Sequence, residues 1–180
     1  MSGELIVVPY DPAWPVRFES IEAVLQRALV GVHVLAIEHI GSTSVPCLAA
    51  KPVIDIDVVV QRDTVPAAIA ALEAIGYRHL GDLGVPEREA FGAPPGAPRQ
   101  NTYVTVEGCL SLRNHLGLRE VLRTRPDLRD EYGAVKLALA NQTDDIDVYI
   151  DGKTDVVLKI LGEAGFPPHE MRELERINRL

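Results

Sequence analysis

Ile40-Gly41-Ser42-Thr43-Ser44, followed after a short loop by Val53-Ile54-Asp55-Ile56-Asp57-Val58-Val59-Val60, decides how this chain is read. The second segment is apolar and largely β-branched, which predicts a buried strand. Two carboxylates interrupt it. Burying an unpaired carboxylate is costly, so such side chains belong beside a cation or a metal. Strand side chains repeat on one face every second residue, so Asp55 and Asp57 project the same way, roughly 7 Å apart at Cβ. They are placed to share one or two ions.

The residue types suit phosphate chemistry. Magnesium takes hard oxygen ligands and is usually held by one or two carboxylates together with substrate phosphates and water. In Gly41-Ser42-Thr43-Ser44 the glycine permits close backbone approach, while turn amides and hydroxyls offer donors to phosphate oxygens. Lys51 adds a point charge. The bland alternative is a calcium or salt-bridge site, with the aspartates paired to arginines.

Together, an apolar-Gly-Ser turn and an apolar-Asp-apolar-Asp strand resemble the nucleotidyltransferase superfamily, the polymerase-β-like fold. The flanks narrow the likeness. Val8-Pro9-Tyr10-Asp11-Pro12-Ala13-Trp14-Pro15, Ile37-Glu38-His39-Ile40, Leu48-Ala49-Ala50-Lys51-Pro52 and Leu112-Arg113-Asn114-His115-Leu116 are similar to the GrpB family, a small bacterial branch of that superfamily sometimes fused to dephospho-CoA kinase. The likeness runs from about residue 5 to about 165.

This resemblance implies an α/β fold, a nucleotidyltransferase-like mixed sheet flanked by helices with a helical C-terminal part. It implies a metal-dependent transfer of a nucleoside monophosphate from a nucleoside triphosphate to a small-molecule acceptor. Asp55 and Asp57 would be the catalytic carboxylates and hold Mg2+ or Mn2+, while Gly41, Ser42, Thr43, Ser44 and Lys51 would bind the phosphates. The alternative is a noncatalytic module of the same fold that binds a nucleotide or a coenzyme A precursor. A hydrolytic, phosphatase-like reaction ranks third.

The chain departs from the family pattern in three places. Cys47 stands where relatives carry glycine after Val45-Pro46, and Gln100 and Tyr103 stand where relatives carry histidines. Catalytic members of the superfamily also use a third carboxylate on a neighbouring strand. The expected carrier, Gln100 to Val106, holds no acid before Glu107.

Further substrate-facing candidates are His39 and His115, which flank the motif and fall in a matched segment respectively, together with Gln100 and Tyr103. Arg99 and Arg113 belong to a scatter of arginines, with Arg78, Arg88 and Arg119, that a fold can bring together. Tyr132 and Lys136, then Tyr149 and Lys153, are each four apart, so each pair shares a helix face able to flank a base or reach a phosphate. The simpler expectation is an exposed surface pair whose tyrosine packs. Asp144, Asp145 and Asp147 are explained by favourable charge at a helix N-terminus.

Composition is consistent with one domain spanning residues 1–180. A chain of 19.7 kDa with 47% hydrophobic and 24% charged residues is ordinary for a globular protein with its own core. A net charge of −8 argues against broad nucleic-acid binding, which relies on lysine and arginine neutralising phosphates, and favours a small phosphorylated ligand. No apolar run reaches the length of a membrane span and no targeting motif is seen, so a cytoplasmic location is expected. Cys47 and Cys109 have no metal-ligand spacing and are expected as free thiols.

Element by element, the pattern predicts a helix after Pro12, strands over Val34 to Ile40 and Val53 to Val60, and a helix capped by Asp63 or Thr64 and stopping at Gly76. A third strand is expected over Tyr77 to Leu80. Gly81 to Pro98, rich in glycine and proline, reads as a lid or surface loop. Residues 99–107 read as a strand, then helices over about 111–124, 127–141 and 144–162, and a short one beyond Pro168.

Overall fold

A computed structural model describes residues 5–179. Five strands, β1 (Val34–Ile40), β2 (Ile54–Val60), β3 (Arg78–Gly81), β4 (Arg88–Gly92) and β5 (Gln100–Val106), form one sheet in the order β1-β2-β5-β4-β3. Only β2 and β5 run parallel; the other neighbours are antiparallel. The parallel pair at the centre is joined by a long crossover, as parallel pairing requires.

Alternation along β2 divides the sheet into two faces. Ile54, Ile56, Val58 and Val60 are buried against Trp14, Ile21 and Leu25 of α1 (Ala13–Ala28) and Ala68 and Leu72 of α2 (Val65–Ala74). Each such side chain fully removed from water contributes on the order of 2 kcal/mol. The opposite parity, Asp55, Asp57 and Val59, faces α3 (Leu110–Thr124), where Val59 packs on Cys109 and Leu112.

A second core lies among α3, α4 (Pro126–Ala140), α6 (Thr154–Glu163) and α7 (Pro168–Asn178), around Leu122, Leu128, Ile160 and Leu161. Val45 and Leu48 from the loop after β1 belong to it. That loop is therefore clamped between the sheet and the helical half. Between α4 and α6 lies the short α5 (Ile146–Gly152), capped by the Asp145 carboxylate, which accepts from the Asp147 and Val148 amides.

The α/β class, the mixed sheet and the helical C-terminal part agree with the sequence. Two expectations do not hold. The segment Gly81 to Pro98 is no plain loop, because β4 lies within it and is paired on both sides. The helix expected over 144–162 is two helices, separated at Lys153.

Candidate functional site

Strand β1 ends by turning back at Gly41, whose φ of 68° and ψ of −175° suit a residue with no side chain. Ser42–Ser44 then form one 3-10 turn. The Ser44 hydroxyl donates to the Gly41 carbonyl at 2.6 Å, and the Thr43 hydroxyl donates to the Val53 carbonyl at 3.3 Å. From α3, Arg123 donates to the Ser44 carbonyl and Arg119 to the His39 carbonyl and the Glu38 carboxylate. The turn is thereby fixed to the sheet on one side and to a helix on the other.

The turn borders a cavity of about 300 Å³ whose walls include Gly41, Ser42, Thr43, Lys51, Asp55, Asn101, Tyr103, His115, Tyr132, Lys136, Tyr149 and Lys153. Strand β5 supplies Asn101 and Tyr103 because it runs parallel to β2 in a register that sets Asp55 beside Asn101 and Asp57 beside Tyr103. The Asn101 amide donates to Asp55 Oδ1 at 2.7 Å. Burial pushes the Asp55 carboxyl up, against the Asn101 hydrogen bond and the charges of His115, Lys153 and Lys51, which pull it down.

Asp57 is fully buried, and its Oδ2 lies 2.7 Å from His115 Nδ1. A carboxylate only accepts, so with Asp57 ionised Nδ1 carries the proton and Nε2 is left as an acceptor. His115 lines the cavity where Asp57 does not. Asp57 Oδ1 is buried without any partner. An orphaned carboxylate oxygen of this kind needs a cation, a proton or water.

Three lysines line the cavity with Asp55, its one carboxylate among the described residues. Lys136, from α4, is buried and donates to Ser42 Oγ at 2.8 Å and to the Ala49 carbonyl. Burial lowers its pKa well below the lysine norm, and Lys153 and Lys51 add to the effect. Lys51 and Lys153 both lie over the Tyr149 ring, at 5.2 and 5.1 Å from its centroid, and burial lowers both. Tyr132 lies under Lys136, its hydroxyl pushed up to about 12 by burial. A confined pocket that crowds three lysines with one carboxylate favours an anionic occupant.

The structure brings Gly41, Ser42, Thr43, Lys51, Asp55, Tyr103, His115, Tyr149 and Lys153 to this cavity, with Asp57 one hydrogen bond behind it. The remaining sequence candidates lie elsewhere. Ser44 is buried with its hydroxyl spent on Gly41. His39 is stacked on Phe18 at 4.7 Å and bonded to Thr43, and burial together with Arg123 and Arg119 lowers its pKa to about 4. Gln100 faces the other side of the sheet, where its carbonyl accepts from Tyr77. Arg113 is paired with Glu170, and Arg99 is exposed outside the cavity wall.

One wall residue, Asn101, escapes the sequence reading, and two more, Tyr132 and Lys136, are given there as able to reach a phosphate but expected as a surface pair. Asn101 occupies the position beside Asp55 on the neighbouring strand, where a third carboxylate was sought. Tyr132 and Lys136 were expected as an exposed pair, yet both are buried. Their four-residue spacing was the available signal; the direction of the helix face was not.

The donor set fits one magnesium ion. Asp55, in the cavity wall, and the orphaned Asp57 Oδ1, buried behind it, are hard oxygens of the type that would hold such an ion together with substrate phosphate and water. It does not fit two ions, since the neighbouring strand offers an amide in place of an acid. Among the described residues no group of three or more His, Cys, Asp or Glu is arranged to hold a metal.

The chain belongs to the GrpB family: the model of the GrpB protein matches residues 4–163. It is 38% identical over 162 residues to a UPF0157 protein of Pseudomonas aeruginosa, an alignment covering 88% of this chain and 66% of that protein. A dephospho-CoA kinase of Mycolicibacterium paratuberculosis is 31% identical over 172 residues, which span 80% of this chain and 42% of the kinase. The crystal structure of the conserved protein GrpB from Enterococcus faecalis superposes with a TM-score of 0.78 at 36% identity, covering 88% of this chain and 96% of that one. The chain thus spans less than two thirds of both the P. aeruginosa relative and the kinase. Among the described residues no helix is long and apolar enough to cross a membrane.

Proposed function

We propose that the protein is a nucleotidyltransferase that moves a nucleoside monophosphate from a nucleoside triphosphate to a small-molecule acceptor. The observation that carries this reading is the cavity in which Lys51, Lys136 and Lys153 converge beside Ser42 and Asp55. Their charge, concentrated in one cavity, matches a triphosphate tail. Tyr149, between two of the lysines, offers an aromatic face for a base. Magnesium held by Asp55 and Asp57 would supply charge neutralisation of the phosphates and polarisation of the α-phosphorus.

The chain's own residues do the rest. Gly41 lets the backbone pass close to Asp55, so that the turn and the carboxylate border the same phosphate. The lysines hold the β- and γ-phosphates and stabilise charge on the departing pyrophosphate. Asp57 fixes the His115 ring so that Nε2 accepts the proton of the attacking hydroxyl.

A second reading, a noncatalytic module for a nucleotide or a coenzyme A precursor, is favoured by Asn101 at the third-acid position and by the occupation of Asp57 by His115. One assay separates them. Pyrophosphate release from each nucleoside triphosphate, with magnesium and a metabolite mixture, is followed for wild type and Asp55→Asn. Release that depends on Asp55 supports transfer; tight binding without release in any mixture supports the module.

A further inference from the structure

We propose that a second cavity, sharing His115 with the first, receives the acceptor, and that the acceptor is a small molecule carrying a hydroxyl and an anionic group. This rests on the nucleotide reading of the first cavity. The second cavity, about 270 Å³, lies among the start of β4, the first turns of α3 and the last turns of α7.

Among the described residues two buried polar atoms in its walls have no partner, Arg88 Nε and Asn114 Oδ1. Buried polar groups are almost always paired, so two orphans on one cavity mark a place where something else supplies the partners. Arg88 makes no ion pair and no side-chain hydrogen bond among the described residues; its guanidinium lies over the Tyr103 ring, 4.7 Å from the centroid. Tyr103 in turn lines the nucleotide cavity. The arginine of the second cavity thus stacks on a wall residue of the first.

The donor and acceptor types define the occupant. A guanidinium presents a planar fork that matches a carboxylate or a phosphate. An amide oxygen only accepts, so Asn114 calls for a hydroxyl or amine hydrogen. Leu110, Leu174 and Ile177 give the cavity an apolar side suited to a short carbon skeleton. Among the described residues exposed Glu173 borders the same space with no ion pair, while Glu87 is paired with Arg62, so the walls carry one unpaired charge of each sign. The arginine suits one anionic group, and the carboxylate disfavours a polyanion.

In the transfer, the acceptor's hydroxyl oxygen forms a bond to the α-phosphorus and the bond from that phosphorus to the pyrophosphate oxygen breaks. The hydroxyl proton passes to His115 Nε2. His115 is suited to this because it lines both cavities.

The test is amide and side-chain NMR of the full chain titrated with D-glycerate and, separately, with glycerol 3-phosphate at millimolar concentration. Shifts centred on Arg88, Asn114 and Ile177, weakened by about tenfold or more in Arg88→Met, support the site, since a charge-assisted hydrogen bond is worth that much. Arg88→Lys, which keeps the charge and loses the fork, should bind between the two and guards against a folding artefact. Stronger response to glycerate assigns the anionic group as carboxylate; stronger response to glycerol 3-phosphate assigns it as phosphate. No binding by either, or shifts confined to Lys51, Lys136 and Lys153 and unchanged in Arg88→Met, overturns the proposal. A parallel titration with a nonhydrolysable nucleoside triphosphate keeps the two readings apart. If it fails to shift the lysine cavity while glycerate still binds at Arg88, the nucleotide reading falls and the second cavity stands as an anion site.

Discussion

Gly41 presses against the Asp55 carboxyl: a β-carbon at residue 41 would lie 2.8 Å from Asp55 Cγ and 2.9 Å from Asp55 Cβ. No real β-carbon tolerates that approach, and the φ of 68° is itself reserved for glycine when ψ is near 180°. The turn and the carboxylate strand are thus built as one unit. Gly41→Ala should cost about 3 kcal/mol in urea unfolding, the sum of backbone strain and overpacking. Gly31→Ala is the control, because its φ is also positive, at 89°, but nothing lies within 4 Å of the added carbon. It should cost only about 1 kcal/mol.

Cys47 adopts a φ of 66°, the left-handed region, and is exposed. A side chain there is strained. Cys47→Gly should therefore raise stability by about 0.5–1 kcal/mol, the relief of strain exceeding the added entropy of the unfolded chain. The same urea unfolding reads the effect, and a loss of stability would mean that the thiol makes a contact worth more than the strain.

Lys136 is buried and, among the described residues, makes no ion pair with a carboxylate. Its replacement by an apolar side chain removes a desolvated charge, so Lys136→Met should leave the melting temperature unchanged or raise it. Calorimetry with a nonhydrolysable nucleoside triphosphate should show affinity reduced by about tenfold or more, the worth of a charge-assisted phosphate contact. A variant that melts lower and binds equally well would make Lys136 a structural residue.

His39 gives a pH dependence with a definite sign. Its pKa falls from 6.5 to about 4 on folding, chiefly through burial, so the unfolded chain binds the proton and the folded one does not between those values. Stability is fully present above pH 6.5 and is lost as pH falls toward 4. Between pH 7 and pH 5 the loss should be about 1.8 kcal/mol. His39→Gln, which retains a hydrogen bond toward Thr43, should flatten that slope in unfolding titrations. An unchanged slope would assign the titration to another group.

Strands β1 and β2 and the turn between them were legible because their signals are local: alternation, a glycine and two out-of-place acids. Strand β4 was not. Arg88 to Gly92 is only five residues long, and the segment around it is dense in glycine and proline; its pairing with β3 and β5 is supplied by distant partners. Asn101 was hidden for a similar reason, since an amide among polar strand residues says nothing until register sets it beside Asp55. Spacing marked Tyr132 and Lys136 as one face of a helix. It could not say that this face closes over the Gly-Ser turn, because that depends on how α4 docks against a loop more than eighty residues earlier in the chain.

The most direct measurement of the central claim is a paired reaction with nucleoside triphosphate labelled at the α-phosphorus or at the γ-phosphorus, in the presence of magnesium and a hydroxyl-bearing acceptor pool. The account predicts the α label on the acceptor and the γ label in pyrophosphate, both abolished in Asp55→Asn. A γ label on the acceptor, or its release as inorganic phosphate, would contradict it.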